Sequence, residues 1–590
     1  MITSHGRRLL ALLPAALCLA CSVNEELHPT FRLEAPAGWS QWGRSADHVG
    51  SVDVAGQRLS RTLGSFVYDP FVEGERSDSG GHLLIHYQSP LVDGADVFME
   101  VKSGKYTTCP PPLPDGSPPA GGPPCGKDSW KQEKWGQKRY SWEDGALVEK
   151  WSFQSDWQPP PTNWEPVFHA ALAGPYLVVP GAGGSIFVVA RESGSQVARV
   201  NPFPTLDPNT YVVGPLTVDQ RGNVYYNAIT LAPKTPWEMD VVGAWLIKVS
   251  PDGTTTKATF ASLTEGAPSP KATCRGTFKR SELPWPPSPD AVPQSFLCGS
   301  QRPGVNSAPA VGPDGTVYTV STAHFVHRYS YLLAVNPDLT PKWAASLRDR
   351  LHDGCGTATL PPNGQPGGCK DGAALGVDPA TNELPAGNVA DDSTSSPVVA
   401  PDGTILYGAT SRYNHAGGHL FQFTPGGEFL TAYGFGWDVT PAIYEHDGTY
   451  SVVIKENRYE TGTYCNDEKF CPPDPGRYAI TQLSAKLVPE WSFLNTNDQS
   501  CWREAGGNIT CVSDHPDGFE WCVNAPAVDR HGVVYVNGED GLLYGIHQGG
   551  VVAESFFLDA SLGAAYTPLS IDGEGRIYAE NLGKLFVVGE

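Results

Sequence analysis

The chain has little uninterrupted sequence. With 65 glycines and 54 prolines among 590 residues, few stretches run long enough without a breaker to form long helices, and the composition favours strands, turns and loops. Basic clusters are absent too: 41 Lys and Arg are dispersed among 63 Asp and Glu, a formal net charge of −22. Such a surface repels nucleic acid and anionic headgroups, so nucleic acid is excluded as a partner and the charge serves solubility. No Gly-x-Ser-x-Gly elbow, His-Glu-x-x-His pair, Gly-x-x-x-x-Gly-Lys-Ser/Thr phosphate loop or Asp-spaced calcium loop occurs, which removes the hydrolases, NTPases and calcium loops that announce themselves linearly. Beyond residue 21 there is no Cys-x-x-Cys, and no two cysteines are adjacent anywhere. Zinc is thereby excluded as a reading of the cysteines, and the expectation is no metal and no resident cofactor.

What is present begins with an export signal. Arg7-Arg8 precedes an apolar run, Leu9 to Ala20, too short to span a bilayer. Its end, Leu17-Cys18-Leu19-Ala20-Cys21, resembles a bacterial lipobox apart from Cys18, which implies that residues 1–20 are removed and that Cys21 becomes a lipidated first residue; ordinary secretory cleavage is the alternative. Residues 22–37 then read as a linker and 38–590 as one folded unit. Localisation follows: outer-membrane-anchored, or periplasmic or extracellular, with the membrane touched only through the lipid.

Self-similarity governs the rest. SPVVAPDGTILYGAT from Ser396 matches SAPAVGPDGTVYTVST from Ser307, GPLTVDQRGNVYYNAIT from Gly214, NAPAVDRHGVVYVNGEDG from Asn524 and TPLSIDGEGRIYAENLG from Thr567. Weaker copies start at Ser89, Glu165 and Thr440. Each reads as a strand opened by Pro, an Asp/Gly turn and a second strand centred on Tyr. Further apolar runs such as YLLAVNPDL at Tyr331 and PKWAASL at Pro341 supply a third and fourth strand. Four strands per repeat is a propeller blade. The fold class predicted is all-β: an eight-bladed β-propeller of four-stranded antiparallel blades, seven if Pro166 or Pro441 opens no separate blade. The last repeat has room for three strands only, so a strand from before Ser89 is expected to complete it. Between strand-start prolines the short intervals carry no cysteine and the long ones carry all: Cys109 and Cys125, Cys274 and Cys298, Cys355 and Cys369, and then Cys465, Cys471, Cys501, Cys511 and Cys522. The excess residues read as surface insertions tied off by local disulfides, with Cys465, Cys471, Cys501 and Cys511 among the bonded cysteines. The odd count leaves one of Cys501, Cys511 and Cys522 without a local partner.

With the repeats in place, GWSQWGRSADHVGS from Gly38 resembles the Trp-x-x-x-Gly-Arg lead-in of pyrroloquinoline-quinone-like (PQQ-like) propellers, and YLLAVNPDLTPKW is similar to their repeat. The resemblance implies the architecture for residues 38–590. It leaves activity open, because the repeat serves quinoprotein dehydrogenases, cofactor-free assembly lipoproteins and other exported proteins. A dehydrogenase of this kind holds its quinone between a Trp and a disulfide of adjacent cysteines, beside a calcium bound by Glu and Asn and an Asp base. Trp437-Asp438 and Trp521 to Asn524 offer such residue types; the adjacent cysteines are missing.

The candidate ligand site is the mouth of the central channel, where the loop ahead of each innermost strand opens. Asp391 and Asp392 in VADDSTSSP stand there, as do Trp437, Asp438, Trp521 and Asn524. The functional expectation is a monomeric, non-enzymatic binding or scaffolding module for a protein or glycan at the cell envelope. The alternatives are a dehydrogenase using PQQ and calcium, and a hydrolase or lyase built on Asp391 and Asp392. Asp402, inside the Pro-Asp-Gly turn, is expected to be a turn residue.

Overall fold

The computed structural model describes residues 31–109, 127–162, 164–360, 363–364, 368–411, 413, 417–459, 476–564 and 566–590. Eight antiparallel sheets follow one another, one per repeat, as an eight-bladed propeller of four-stranded blades, the fourth of which carries an additional short strand, Gln301–Arg302. The first blade runs Leu91–Asp93, Asp96–Lys105, Gln132–Glu143 and Ala146–Gln154 from axis to rim. The innermost strands of the later blades are Ala171–Ala173, Thr210–Val218, Ala310–Val311, Val398–Val399, Ala442–His446, Ala527–Val528 and Ser570–Ile571. In the eighth blade the rim strand is Arg61–Val67, antiparallel to Lys584–Gly589, so both ends of the folded unit share one sheet. No helix among the described residues is long and apolar enough to cross a membrane.

The turn chemistry explains the repeat. Asp402 Oδ1 accepts the backbone N–H of Thr404 at 2.9 Å and its hydroxyl at 2.7 Å, while Gly403 takes φ +84°, where a β-carbon would be strained. Asp219, Asp314, Asp529 and Asp572 make the same side-chain bond to the N–H two residues on. Asp447 differs: it adopts φ +48° itself, ahead of Gly448 at +74°, in a tighter hairpin. Blade-to-blade register has its own device. The rim tryptophans Trp151 and Trp343 lie on Gly194 and Gly427 in the neighbouring blade, where an added β-carbon would come within 2.6 Å of the indole. Trp151 also donates to Arg191 O at 2.7 Å and Trp343 to Pro425 O at 2.9 Å.

The turn-side end of the channel is closed by the chain itself. Residues 39–52 bond to the innermost strands of seven blades in succession: Trp39 with Val92, Ser40 with Leu172, Ala46 with Val311, Asp47 with Val399, Val49 with Ile443 and Gly50 with Val528, and the Gln41 amide with both backbone groups of Val218. Trp42, fully buried, donates to Thr440 Oγ1 at 2.8 Å. His48 belongs to this plug, and His169 packs edge-on against its Trp42. Burial pushes His48 down to about 4 and His169 to about 3. His169 Nε2 accepts the Ser89 N–H at 3.1 Å, a bond that a protonated ring could not keep.

Both histidines titrate near 6.5 when unfolded and lower when folded, so the unfolded chain binds more protons between those values. Stability is therefore complete above about pH 6.5 and falls as pH drops toward 4. The loss expected is about 1–3 kcal/mol, read by urea unfolding at pH 7 and pH 5, and His169→Gln should flatten the slope.

Three disulfides tie insertions: Cys274–Cys298, Cys355–Cys369 and Cys501–Cys511. Cys109 is disulfide-bonded as well. Cys522 is a buried free thiol. Residues 1–20, read above as an export signal, and Cys21, Cys125, Cys465 and Cys471 lie outside the described residues.

Candidate functional site

The face opposite the plug carries a cavity of about 790 Å³. Both carboxylates of the loop ahead of the fifth blade, Asp391 and Asp392, line it. So do Trp164 ahead of the second blade, Trp237 from the third, and Phe325 and His327 from the hairpin between the second and third strands of the fourth. The insertion closed by Cys274–Cys298 contributes Phe296. Phe296 is 45 % exposed and Phe325 36 %, so the rim presents aromatic edges to solvent. The Phe325 N–H donates to Cys298 O at 3.1 Å, which makes the disulfide a strut under both rings.

Asp391 is not a free acid. A short strand, Gln301–Arg302, pairs with the top of Val317–Ala323 and sets the Arg302 guanidinium against it, with both contacts at 2.7 Å. Arg302 also donates from Nε to His324 Nδ1 at 3.0 Å and from a terminal nitrogen to Pro303 O at 3.0 Å, and it lies over the Trp237 ring at 5.4 Å. Burial alone would raise the Asp391 carboxyl; Arg302 outweighs that and holds it below the usual carboxylate range. Burial, reinforced by Arg302, pushes His324 down to about 4, leaving it a neutral acceptor. Asp392 is exposed, and its carbonyl oxygen lies 3.1 Å from His86 Nε2. His86 stacks on Tyr566 at 4.7 Å, and Trp164 meets the same Tyr566 at 5.1 Å, so the two rings back Trp164, which lines the cavity.

The other residues expected at the mouth are placed differently. Asp438 pairs with Lys455 at 2.8 Å, both nearly inaccessible. Together with Trp437 they line a separate void of about 10 Å³, room for about one water. Trp521 is packed against Phe493 and Tyr544, and Asn524 is fully buried. None of these four lines the large cavity. For a quinone, the fit fails on the same grounds: the Trp, Asp and Asn that would hold it have no open space beside them, and no pair of adjacent cysteines exists.

Sequence reading passed over Arg302, Trp164, Trp237, Phe296 and Phe325. Arg302 carries one signal, a lone basic residue just ahead of the strand-start segment of its blade. It also passed over a Ser-His-Asp constellation: His419 holds Ser411 Oγ at 3.0 Å through Nδ1 and Asp353 at 2.6 Å through Nε2. Ser411 and His419 are buried, so no substrate reaches the hydroxyl. Burial and the nearby Glu539 and Glu520 push the Cys522 thiol well above its ordinary value, which makes it unreactive.

No family model matches the chain, and no curated protein does. Among solved structures the chain is similar to a europium-containing methanol dehydrogenase (TM-score 0.47, 11 % identity, covering 92 % of this chain and 89 % of that one). It is also similar to quinohemoprotein alcohol dehydrogenase from Comamonas testosteroni (0.49, 10 %, 94 % and 81 %), and to BamB from Moraxella catarrhalis (0.38, 11 %, 90 % and 99 %).

Proposed function

We propose that the protein is an exported, lipid-anchored binding module of the cell envelope that captures a glycan in the cavity at its channel mouth without transforming it. The carrying observation is the lining: four aromatic side chains around about 790 Å³, with the innermost carboxylate neutralised by Arg302. Sugar rings stack on such faces, and Asn388, Thr410 and Asp392 on the same wall supply hydrogen-bonding groups for hydroxyls. An acid paired bidentately with a guanidinium is a poor proton donor or acceptor, which weighs against a hydrolase or lyase built on Asp391. Disulfide-tied insertions fit an oxidising compartment, and Cys21 is the proposed anchor point.

The test is a binding panel of envelope glycans and peptides against the full chain. Phe296→Ala should weaken the best glycan by roughly thirtyfold, the loss of a hot-spot aromatic worth about 2 kcal/mol, and its exposure predicts an unchanged unfolding curve. Product release from the bound glycan that Asp392→Asn abolishes would instead establish an enzyme.

A further inference from the structure

Lysine is almost never fully buried unless paired. Lys102, in the second strand of the first blade, is surrounded by acids: its Nζ lies 2.9 Å from Asp69, 3.0 Å from Glu75, 2.8 Å from Glu165 and 3.8 Å from Glu133. These five side chains are all between 0 and 5 % exposed. Ionised together, four carboxylates against one ammonium would leave a net negative charge in a dry interior, which is strongly destabilising; burial accordingly raises the carboxyls of Glu75, Glu133 and Glu165.

The hydrogen bonds show where compensation is missing. Asp69 accepts from Tyr87 Oη at 2.7 Å and from the Phe71 N–H at 2.9 Å. Glu165 accepts from Lys102 and, at 2.9 Å, from Trp135 Nε1. Glu75 spends one oxygen on Lys102, but its Oε2 has no hydrogen-bond partner, and neither oxygen of Glu133 has one. The ligand atoms of Glu75, Glu133 and Glu165 all lie within 4.8 Å of one another, a separation that oxygens at about 2.3–2.6 Å from one central ion can adopt.

We propose that Glu75, Glu133 and Glu165 hold a divalent cation of the calcium class, which satisfies the orphaned oxygens and offsets the acidic excess around Lys102. The donor set is carboxylate alone, so the ion is hard. The crowded, dry surroundings favour calcium, which accepts irregular protein coordination, over magnesium, which keeps waters in a strict octahedron. The three ligands come from the helix Val72–Asp78, the third strand of the first blade and the segment entering the second blade, so the ion would bind the N-terminal segment to two blades. Its place is behind the cavity: Glu165 follows Trp164 in the chain, and its carbonyl accepts from His86 Nδ1 at 2.9 Å. The site is independent of whether the cavity binds a glycan.

The experiment uses the full chain, stripped with EDTA and titrated with CaCl₂ and separately with MgCl₂ by calorimetry, with thermal unfolding followed in each condition. The expected result is a single tight calcium site, preferred over magnesium, with Tm higher in calcium than in EDTA. Glu133→Gln, nearly isosteric, should weaken calcium binding by at least about tenfold and abolish the calcium-dependent shift. A stripped wild-type chain that takes up no calcium and melts identically in calcium and EDTA overturns the proposal. Wild-type calcium affinity in Glu133→Gln overturns it too, because the ion then lies elsewhere, and equal affinity for magnesium overturns the calcium assignment.

Discussion

Trp42→Ala is expected to lower the unfolding free energy by about 3–5 kcal/mol, the cost of emptying a large, fully enclosed aromatic site. The indole touches Ala308 and Ala525, sits edge-on to His169 at 5.6 Å and bonds Thr440. It therefore spans the channel between the segments entering the innermost strands of the second, fourth, sixth and seventh blades. Small residues surround it and cannot collapse into the space. Thr440→Val removes the acceptor of the indole N–H together with the hydroxyl's own bond to Thr394 O at 3.3 Å, and should cost about 1–3 kcal/mol. Urea unfolding of both variants separates packing from hydrogen bonding. Equal, small effects would mean that the plug follows the ring without stabilising it. Because residues 39–52 engage seven blades in order, cooperativity should suffer as well, seen as a reduced m-value or an early transition in Trp42→Ala.

The architecture was legible because its causes are local. A strand-start Pro, an Asp whose side chain bonds the N–H two residues on, and a Gly at positive φ recur in the sequence for the reason that they recur in the structure. The plug was not legible. GWSQWGRSADHVGS has no strand periodicity, and its partners are single backbone groups on strands up to hundreds of residues away. The candidate site was legible in location and only partly in composition. VADDSTSSP marks a loop opening onto the mouth, and Asp391 and Asp392 do line the cavity. The same reasoning applied to Trp437-Asp438 could not foresee that Lys455, from the adjoining strand, reaches Asp438. Nor could it foresee that Trp521 turns into the packing of Phe493 and Tyr544. The insertions were read as loops held by disulfides, yet their aromatic residues form a wall of the cavity, a role that depends on how the strut at Cys274–Cys298 aims them.

Arg302→Met should cost about 3 kcal/mol, near the lower end for breaking a buried ion pair, because Asp391 is 23 % exposed and can recover some water where Arg302, at 1 %, cannot. What remains to hold the carboxylate is the Val305 N–H at 3.3 Å. Asp391→Leu alone should be comparably harmful, leaving a buried guanidinium with only His324, His327 and the Pro303 carbonyl around it. The double variant should recover much of the loss, since a pair replaced by apolar groups strands no charge. Acid gives an independent check with a definite sign. In the wild type the folded-state Asp391 carboxyl lies below its unfolded value, so the pair's contribution is complete above about pH 4 and is lost as pH falls through the folded value. In Arg302→Met, burial is opposed only by His327 and the Val305 N–H and raises the same group, so acidification relieves the variant. The stability gap between the two proteins should therefore narrow from pH 7 toward pH 4 and below. A gap that stays constant with pH would mean that Arg302 acts through its stacking on Trp237 and its bond to His324, and that Asp391 is free to serve the cavity as an acid or base after all.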